Sequence, residues 1–136
     1  MGCSSQETAT FNRKNGVSVT TLIYTYDKER YIVTKFKIQS TIPAEDSESR
    51  EENQKPFDGV KGFDGVVTSI TEKEDKLISS VEIDLKKMKW STIKKSDNLL
   101  LYGLNQSSYL IGEDEDASFS RSKKAAEILD FKEQTK

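Results

Sequence analysis

Apolar and polar residues alternate over long stretches of this 136-residue chain, and the alternation predicts strands. The stretch "ETATFNRKNGVSVTTLIYTYDKERYIVTKFKIQSTIP" is rich in threonine, valine, isoleucine and tyrosine and is broken by turn residues. Asn15-Gly16 is a strong hairpin signal, because a type I′ turn needs positive φ at both central residues. It predicts a strand over Thr8–Lys14 joined to one over Val17–Tyr26. The polar turn Asp27–Arg30 leads into a third strand, with Ile32, Thr34, Phe36, Ile38 and Ile42 on one face and Lys35, Lys37 and Gln39 on the other. Such a strand has one buried and one wet face.

A second hairpin follows in "GVVTSITEKEDKLISSVEIDLKKMKW". Its strands are expected over Val66–Glu72 and Lys76–Lys86, about a turn at Lys73–Asp75. Leu77, Val81, Ile83 and Leu85 share one face; Glu82, Asp84 and Lys86 share the other. Between the hairpins, early Pro43 and a run of acids predict a helix from Ala44 to Lys55, stopped by Pro56, with an acidic loop as the rival reading. Phe57-Asp58-Gly59-Val60 recurs as Phe63-Asp64-Gly65-Val66. Two copies do not make a solenoid, so each Asp-Gly reads as a turn with its phenylalanine anchored on the sheet. "LKKMKWSTIKKSDNLLLYGL" predicts a short helical turn and an apolar segment at Leu99–Leu104, and "NQSSYLIGEDEDAS" reads as loop. Ser118 is placed to cap a last helix over Phe119–Asp130, and Lys132–Lys136 is expected to fray. The division is a lipid-attachment residue and polar tether over 1–8, one α+β domain over 9–131, and a frayed end over 132–136.

Composition narrows the chemistry. Charged residues make up 32% and hydrophobic residues 34%, which implies a small core. Twenty-one basic residues against 23 acidic ones give a net charge of −2, so nothing favours nucleic acid as a partner. There is no histidine, which excludes Ser-His-Asp and Cys-His catalysis and any histidine-bearing metal site. One cysteine excludes an intrachain disulfide and any Cys-x-x-Cys motif. No run of 18 apolar residues exists to span a membrane as a helix.

That cysteine is Cys3, in "MGCSSQETAT". No cation or helix start is near it in sequence to depress its pKa, so a reactive thiol is not indicated. "GC" matches the end of a bacterial lipobox, where the cysteine receives diacylglycerol after an apolar signal segment is cleaved. On this reading Met1 is a supplied start and Gly2 a remnant of the precursor or of cloning. Two acyl chains on one sulfur give durable attachment, since each buried methylene contributes about 0.8 kcal/mol.

Other candidates carry competing readings. Lys86, Lys87, Lys89, Lys94 and Lys95 surround Met88, Trp90 and Ile93 without an acid among them. They suit an anionic lipid or wall-polymer surface; the plainer expectation is that the apolar three plug the core while the lysines stay wet. Tyr24, Tyr26, Tyr31, Tyr102 and Tyr109 with Trp90 are candidates for a peptide or glycan groove, against ordinary packing of strand tyrosines. Trp90, Lys87, Lys89, Tyr102 and Tyr109 are the candidate contact residues. Glu113–Asp116 is an acidic run whose consecutive carboxylates lack calcium-loop spacing, so a solvated loop is expected and no metal is assigned. Acids are plentiful, and Glu82 and Asp84, two apart on one strand face, are near the separation some hydrolases use; on the polar side of a sheet such a pair is ordinary, and no catalytic residue or cofactor is assigned.

The stretches "TLIYTYDKERYIVTKFKIQS", "KGFDGVVTSITEKEDKLISSVEIDLKKMKW" and "KKAAEILDFKE" resemble the YehR-like family of small bacterial lipoproteins. The resemblance runs from about Val17 onward, and the family's lipobox cysteine falls on Cys3. It implies an α+β fold: a mainly antiparallel sheet with one or two helices packed on one face, a two-layer sandwich. The family brings no assigned activity, and Leu99 to Ala117, with its "GEDED", departs from its pattern. The resulting expectation is an extracytoplasmic, non-enzymatic lipoprotein of the bacterial envelope. Its partners would be the membrane, through lipid on Cys3, and an envelope protein, peptide or glycan. The alternatives are an envelope hydrolase or accessory subunit using Asp/Glu chemistry, and a soluble intracellular domain with an incidental cysteine.

Overall fold

The computed structural model of the chain describes residues 5–44 and 57–134. Cys3 and the helix expected over 44–55 lie outside the described residues, except that Ala44 is extended in form and donates its N–H to the Asp75 carbonyl. Strands β1 (Gln6–Asn15), β2 (Ser18–Asp27), β3 (Ile32–Pro43), β4 (Val66–Lys73) and β5 (Lys76–Asp84) form an antiparallel sheet in the order β4-β5-β3-β2-β1. Two-residue β8 (Lys132–Glu133) adds beside β1. The hairpin β6 (Gly112–Glu113) and β7 (Asp116–Ser118) joins at the start of β3, where β7 extends the edge that β5 leaves at Asp84. Helices α1 (Trp90–Lys95), α2 (Leu99–Gln106) and α3 (Phe119–Ile128) complete the described α+β fold.

Both long hairpins form as their patterns predict, but each turn differs in detail. Asn15 pairs with Ser18, so the two-residue turn is Gly16-Val17. Only Gly16 has positive φ, +66°, which meets the type II′ requirement and not the type I′ one. The type I′ requirement is met instead at Glu74-Asp75, where both residues have positive φ, 53° and 63°. The Asp27 turn is tied by its own side chain: Asp27 Oδ1 accepts from the N–H groups of Glu29 (2.8 Å) and Arg30 (3.2 Å). These bonds, Arg30 first, with the Arg30 guanidinium at 3.6 Å, hold the Asp27 carboxyl below the usual carboxylate range.

In β3 the expected buried face is interrupted. The register steps from Thr25↔Lys35 to Tyr26↔Val33, leaving Thr34 as the extra residue of a β-bulge. Val33 therefore enters the core in place of Ile32, and Phe36 stays there. Thr34 satisfies the bulge by donating to the Thr25 carbonyl (3.3 Å) and accepting from Leu85 N (2.9 Å).

One sheet face carries the core. Phe11, Leu22, Tyr24, Phe36 and Ile83 are fully buried and belong to one cluster with Ile93 of α1, Leu101 of α2 and Ala126 of α3. The Tyr24 ring meets Phe11, Phe36 and Phe119 at 5.1–5.9 Å between centroids. The opposite face is lined by cross-strand rows such as Ser69–Ser80–Gln39–Thr21–Asn12. Glu82 lies opposite Lys37, and Asp84 opposite Lys35, on that same face.

Two segments read as irregular are ordered. The acidic run 113–116 makes the tight turn of the β6–β7 hairpin, with Asp114 at φ 53°. Gly112 is required there: a Cβ would run into the Asp116 carbonyl, Ala117 and the Trp90 ring. Lys132 and Glu133, expected to fray, pair with Asn12 and Phe11, and Gln134 N donates to the Thr10 carbonyl. At the other end Gln6–Thr8, expected as tether, already belongs to β1.

Candidate functional site

Between the core face of the sheet and α2 lies a cleft of about 350 Å³. Its floor is two cross-strand pairs of β3 and β5, Ile38↔Val81 and Ser40↔Ser79. Its wall is one stripe of α2 and its C-cap: Leu100, Gly103, Leu104 and Ser107, spaced i, i+3, i+4, i+7. Phe57 and Tyr109 close the remaining sides. Among the described residues that line it there is no acid, lysine or arginine.

The local structure explains why the wall stands where it does. Asn98 caps α2, its Oδ1 accepting from the N–H groups of Leu100 (3.0 Å) and Leu101 (3.2 Å). The same side chain donates from Nδ2 to the Gly59 carbonyl at 3.1 Å, which pins the helix start to the turn that follows Phe57. Leu101, on the neighbouring stripe, is buried in the core. The Tyr109 ring stands edge-on to Phe131, and its carbonyl accepts the Tyr24 hydroxyl at 2.6 Å. Burial first, and the neighbouring Tyr109 second, push the Tyr24 phenol up, so Tyr24 remains a donor.

Gly103 is the informative residue of the wall. A glycine inside a helix costs roughly 0.5–1 kcal/mol relative to alanine. Here it sits within the helix without positive φ, and a Cβ would meet no heavy atom of the described residues within 4 Å. Neither backbone conformation nor close packing demands it. Its effect is to widen the cleft. The arrangement can hold an uncharged group with an apolar body, while the serine hydroxyls and Tyr109 offer polar contacts at its margin.

The candidate contact residues do not assemble into one patch. Trp90 is in the core with Met88 and Ile93, as the plainer reading expected, so it is corrected from a surface contact to a packing residue. Its apolar neighbours drive this burial; its Nε1 has no hydrogen-bond partner among the described residues. Lys87 and Lys89 are exposed, at 4.0 Å from Asp64 and 3.0 Å from Glu115. Tyr102 is exposed on α2, and of the five candidates only Tyr109 lines the cleft. Among the other tyrosines, Tyr24 and Tyr26 are buried in the core and Tyr31 stacks on Tyr26. Glu82 and Asp84 do not line the cleft and stand opposite Lys37 and Lys35 on the other face of the sheet. Among the described residues no group of three or more Asp, Glu, His or Cys is placed to hold a metal. A second depression over Arg30, Tyr31 and Arg121 is rimmed by ion pairs, Arg30–Asp27 and Arg121–Glu113, and is less suited to an uncharged ligand.

The serines, Leu100 and Gly103 were not singled out from sequence. The signal that was present is a glycine inside an apolar segment that follows a capping residue, Asn98.

No family model matches this sequence, and no curated protein matches it. Among solved structures the chain is similar to the NMR structure of the YehR protein of E. coli, with a TM-score of 0.71 and 19% identity over 98% of this chain and 93% of that one. It is also similar to the NMR structure of a protein from Streptococcus pneumoniae TIGR4, with a TM-score of 0.68 and 15% identity over 98% of this chain and 88% of that one. At such identities the likeness is one of fold: the chain has a YehR-like α+β architecture.

Proposed function

We propose that this chain is a non-enzymatic lipoprotein of the bacterial cell envelope, anchored by diacylglycerol on Cys3, whose cleft takes an uncharged apolar group of an envelope protein, peptide or glycan. The observation that carries the reading is the place of the chain's single thiol, three residues ahead of β1. Ser5 is already tied to the fold through its carbonyl, which accepts Lys28 N at 3.0 Å. Two residues of extended chain reach about 7 Å, so lipid on Cys3 would hold the sheet end bearing the Asp27 turn against the bilayer.

The cleft fits that orientation. The Ser40–Ser79 pair lies five residues along the ladder from Lys35–Asp84, which is at the anchored end. At roughly 3.4 Å per residue the cleft floor stands about 17 Å further from the bilayer, within reach of an envelope partner. The uncharged lining supports binding over acid–base chemistry.

Mass spectrometry of the full-length product from its own host tests the anchor. A diacylglyceryl adduct on Cys3, and release of the Cys3→Ser variant from the membrane fraction, are expected. A bare thiol on Cys3 overturns the proposal.

A further inference from the structure

The two edges of the sheet are treated differently. The β1 edge is closed in its middle by β8 and by the bond from Gln134 N to the Thr10 carbonyl. Among the described residues no strand pairs with the β4 edge, which runs over eight residues, VVTSITEK. Exposed edges are normally blunted by proline, inward charge, a bulge or a covering segment, because they template pairing with another strand. β4 contains no proline, pairs with β5 without a register shift, and has its only charges, Glu72 and Lys73, at the hairpin turn. Val67 is 63% exposed beside that edge.

The hydrogen-bonding groups on this edge follow from the turn. A two-residue type I′ turn makes Lys73–Lys76 a hydrogen-bonded pair, and alternation then directs Thr71, Ser69 and Val67 to β5. Two observed bonds agree: the Gly65 carbonyl accepts from Asp84 N at 2.7 Å, and Val66 N turns away to Phe63 O at 3.2 Å. Thr68, Ile70 and Glu72 therefore point their N–H and C=O groups outward, where they meet no backbone partner among the described residues.

We propose that β4 pairs antiparallel with β4 of a second copy, about a twofold axis at Ser69. Continuity of the two sheets requires core-side residues to pair with core-side residues, and this register satisfies it. Thr68 faces the partner's Ile70, Val66 faces the partner's Glu72, and Val67 faces the partner's Thr71. Thr68 and Ile70 then exchange N–H···O bonds in both directions, and Glu72 N–H reaches the partner's Val66 carbonyl. No like charges stand opposite each other within the strand, and Lys73 falls opposite Gly65. A shift of the axis to Thr68 would bring Asp64 against Glu72, so charge favours the Ser69 axis.

Sedimentation equilibrium of the full chain is expected to show a dimer. Thr68→Pro removes only an outward N–H, a change that edge strands tolerate, and is expected to weaken the dimer about thirtyfold while leaving circular dichroism unchanged. As an independent check in a Cys3→Ser background, Ser69→Cys is expected to form an interchain disulfide. Non-hydrogen-bonded partners sit about 4.5 Å apart at Cα, within disulfide reach. Val67→Cys and Thr71→Cys chains should crosslink when mixed and not alone. A monomer at all concentrations with no crosslink overturns the proposal and leaves the edge to a strand from another protein. A dimer that keeps its affinity in Thr68→Pro, or crosslinks in another register, also overturns it.

Discussion

Removing one oxygen tests how the core holds the cleft. Tyr24→Phe keeps a ring that is fully buried against Phe11, Phe36 and Phe119 and deletes only the hydroxyl that donates to the Tyr109 carbonyl at 2.6 Å. The lost bond is worth about 0.5–1.5 kcal/mol net, and a carbonyl left dry costs about 1–3 kcal/mol. Tyr109 is half-buried, so water can replace part of the loss. The expected destabilisation is about 1–2 kcal/mol. With a urea m-value of about 1.5 kcal/mol/M, the midpoint falls by roughly 1 M at unchanged slope. The control is Tyr102→Phe, exposed on α2, with an expected change within about 0.5 kcal/mol. The pH dependence adds a second check. Burial raises the Tyr24 phenol above its ordinary value, so its contribution is full below the unfolded tyrosine pKa of about 10 and is lost as pH rises beyond it. The gap between wild type and Tyr24→Phe should stay constant from neutral pH to about 10 and narrow above. A variant within about 0.3 kcal/mol of wild type would refute the claim that this bond braces Tyr109.

Three further outcomes follow from the same geometry. Gly103→Ala should raise stability by about 0.5–1 kcal/mol in thermal melts, whereas Gly103→Leu should fill the cleft and abolish enhancement of an apolar fluorescent dye; undiminished dye binding would place the binding surface elsewhere. Asn98→Ala should cost about 0.5–2 kcal/mol in urea titrations through loss of the α2 cap, and no measurable cost would mean that the cap and the Gly59 tie are dispensable. Asp27 is held below the usual carboxylate range by the Arg30 and Glu29 N–H groups, so its contribution is present above the unfolded pKa of about 4 and is lost as pH falls through its lower folded value. Acid titration of Asp27→Asn should lack that part of the acid-side fall, and an unchanged profile would count against the turn as its source.

The strand pattern was legible wherever one face is buried and the other wet. Leu77, Val81 and Ile83 alternate with Glu82 and Asp84 as expected, because burial on one side imposes a period of two. Ser118 likewise caps α3, accepting from Arg121 N at 3.2 Å. Legibility failed where a local departure breaks the period. The Thr34 bulge moves Val33 inward and Ile32 out, and nothing in "YIVTKF" distinguishes that from an unbroken strand. The β6–β7 hairpin was hidden because four adjacent acids look like solvated loop, and solvated they are, at the tip and edges of a tight turn.

The cleft was the least legible part, for a different physical reason. Its floor comes from β3 and β5, its wall from α2 and its margin from Phe57 and Tyr109, so no spacing along the chain brings them together. "LLLYGLNQ" is apolar on too many sides to reveal its period, since Leu101 serves the core, Leu100 and Gly103 face the opening, and the buried Leu104 does both. What sequence does carry is a conflict. A helix capped by Asn98 keeps a glycine where alanine would be more stable and where no atom of the described residues crowds it. A fold selected for stability alone has no use for that glycine. A fold that needs room between its helix and its sheet does, which makes position 103 the residue on which the binding reading can be tested independently of the anchor.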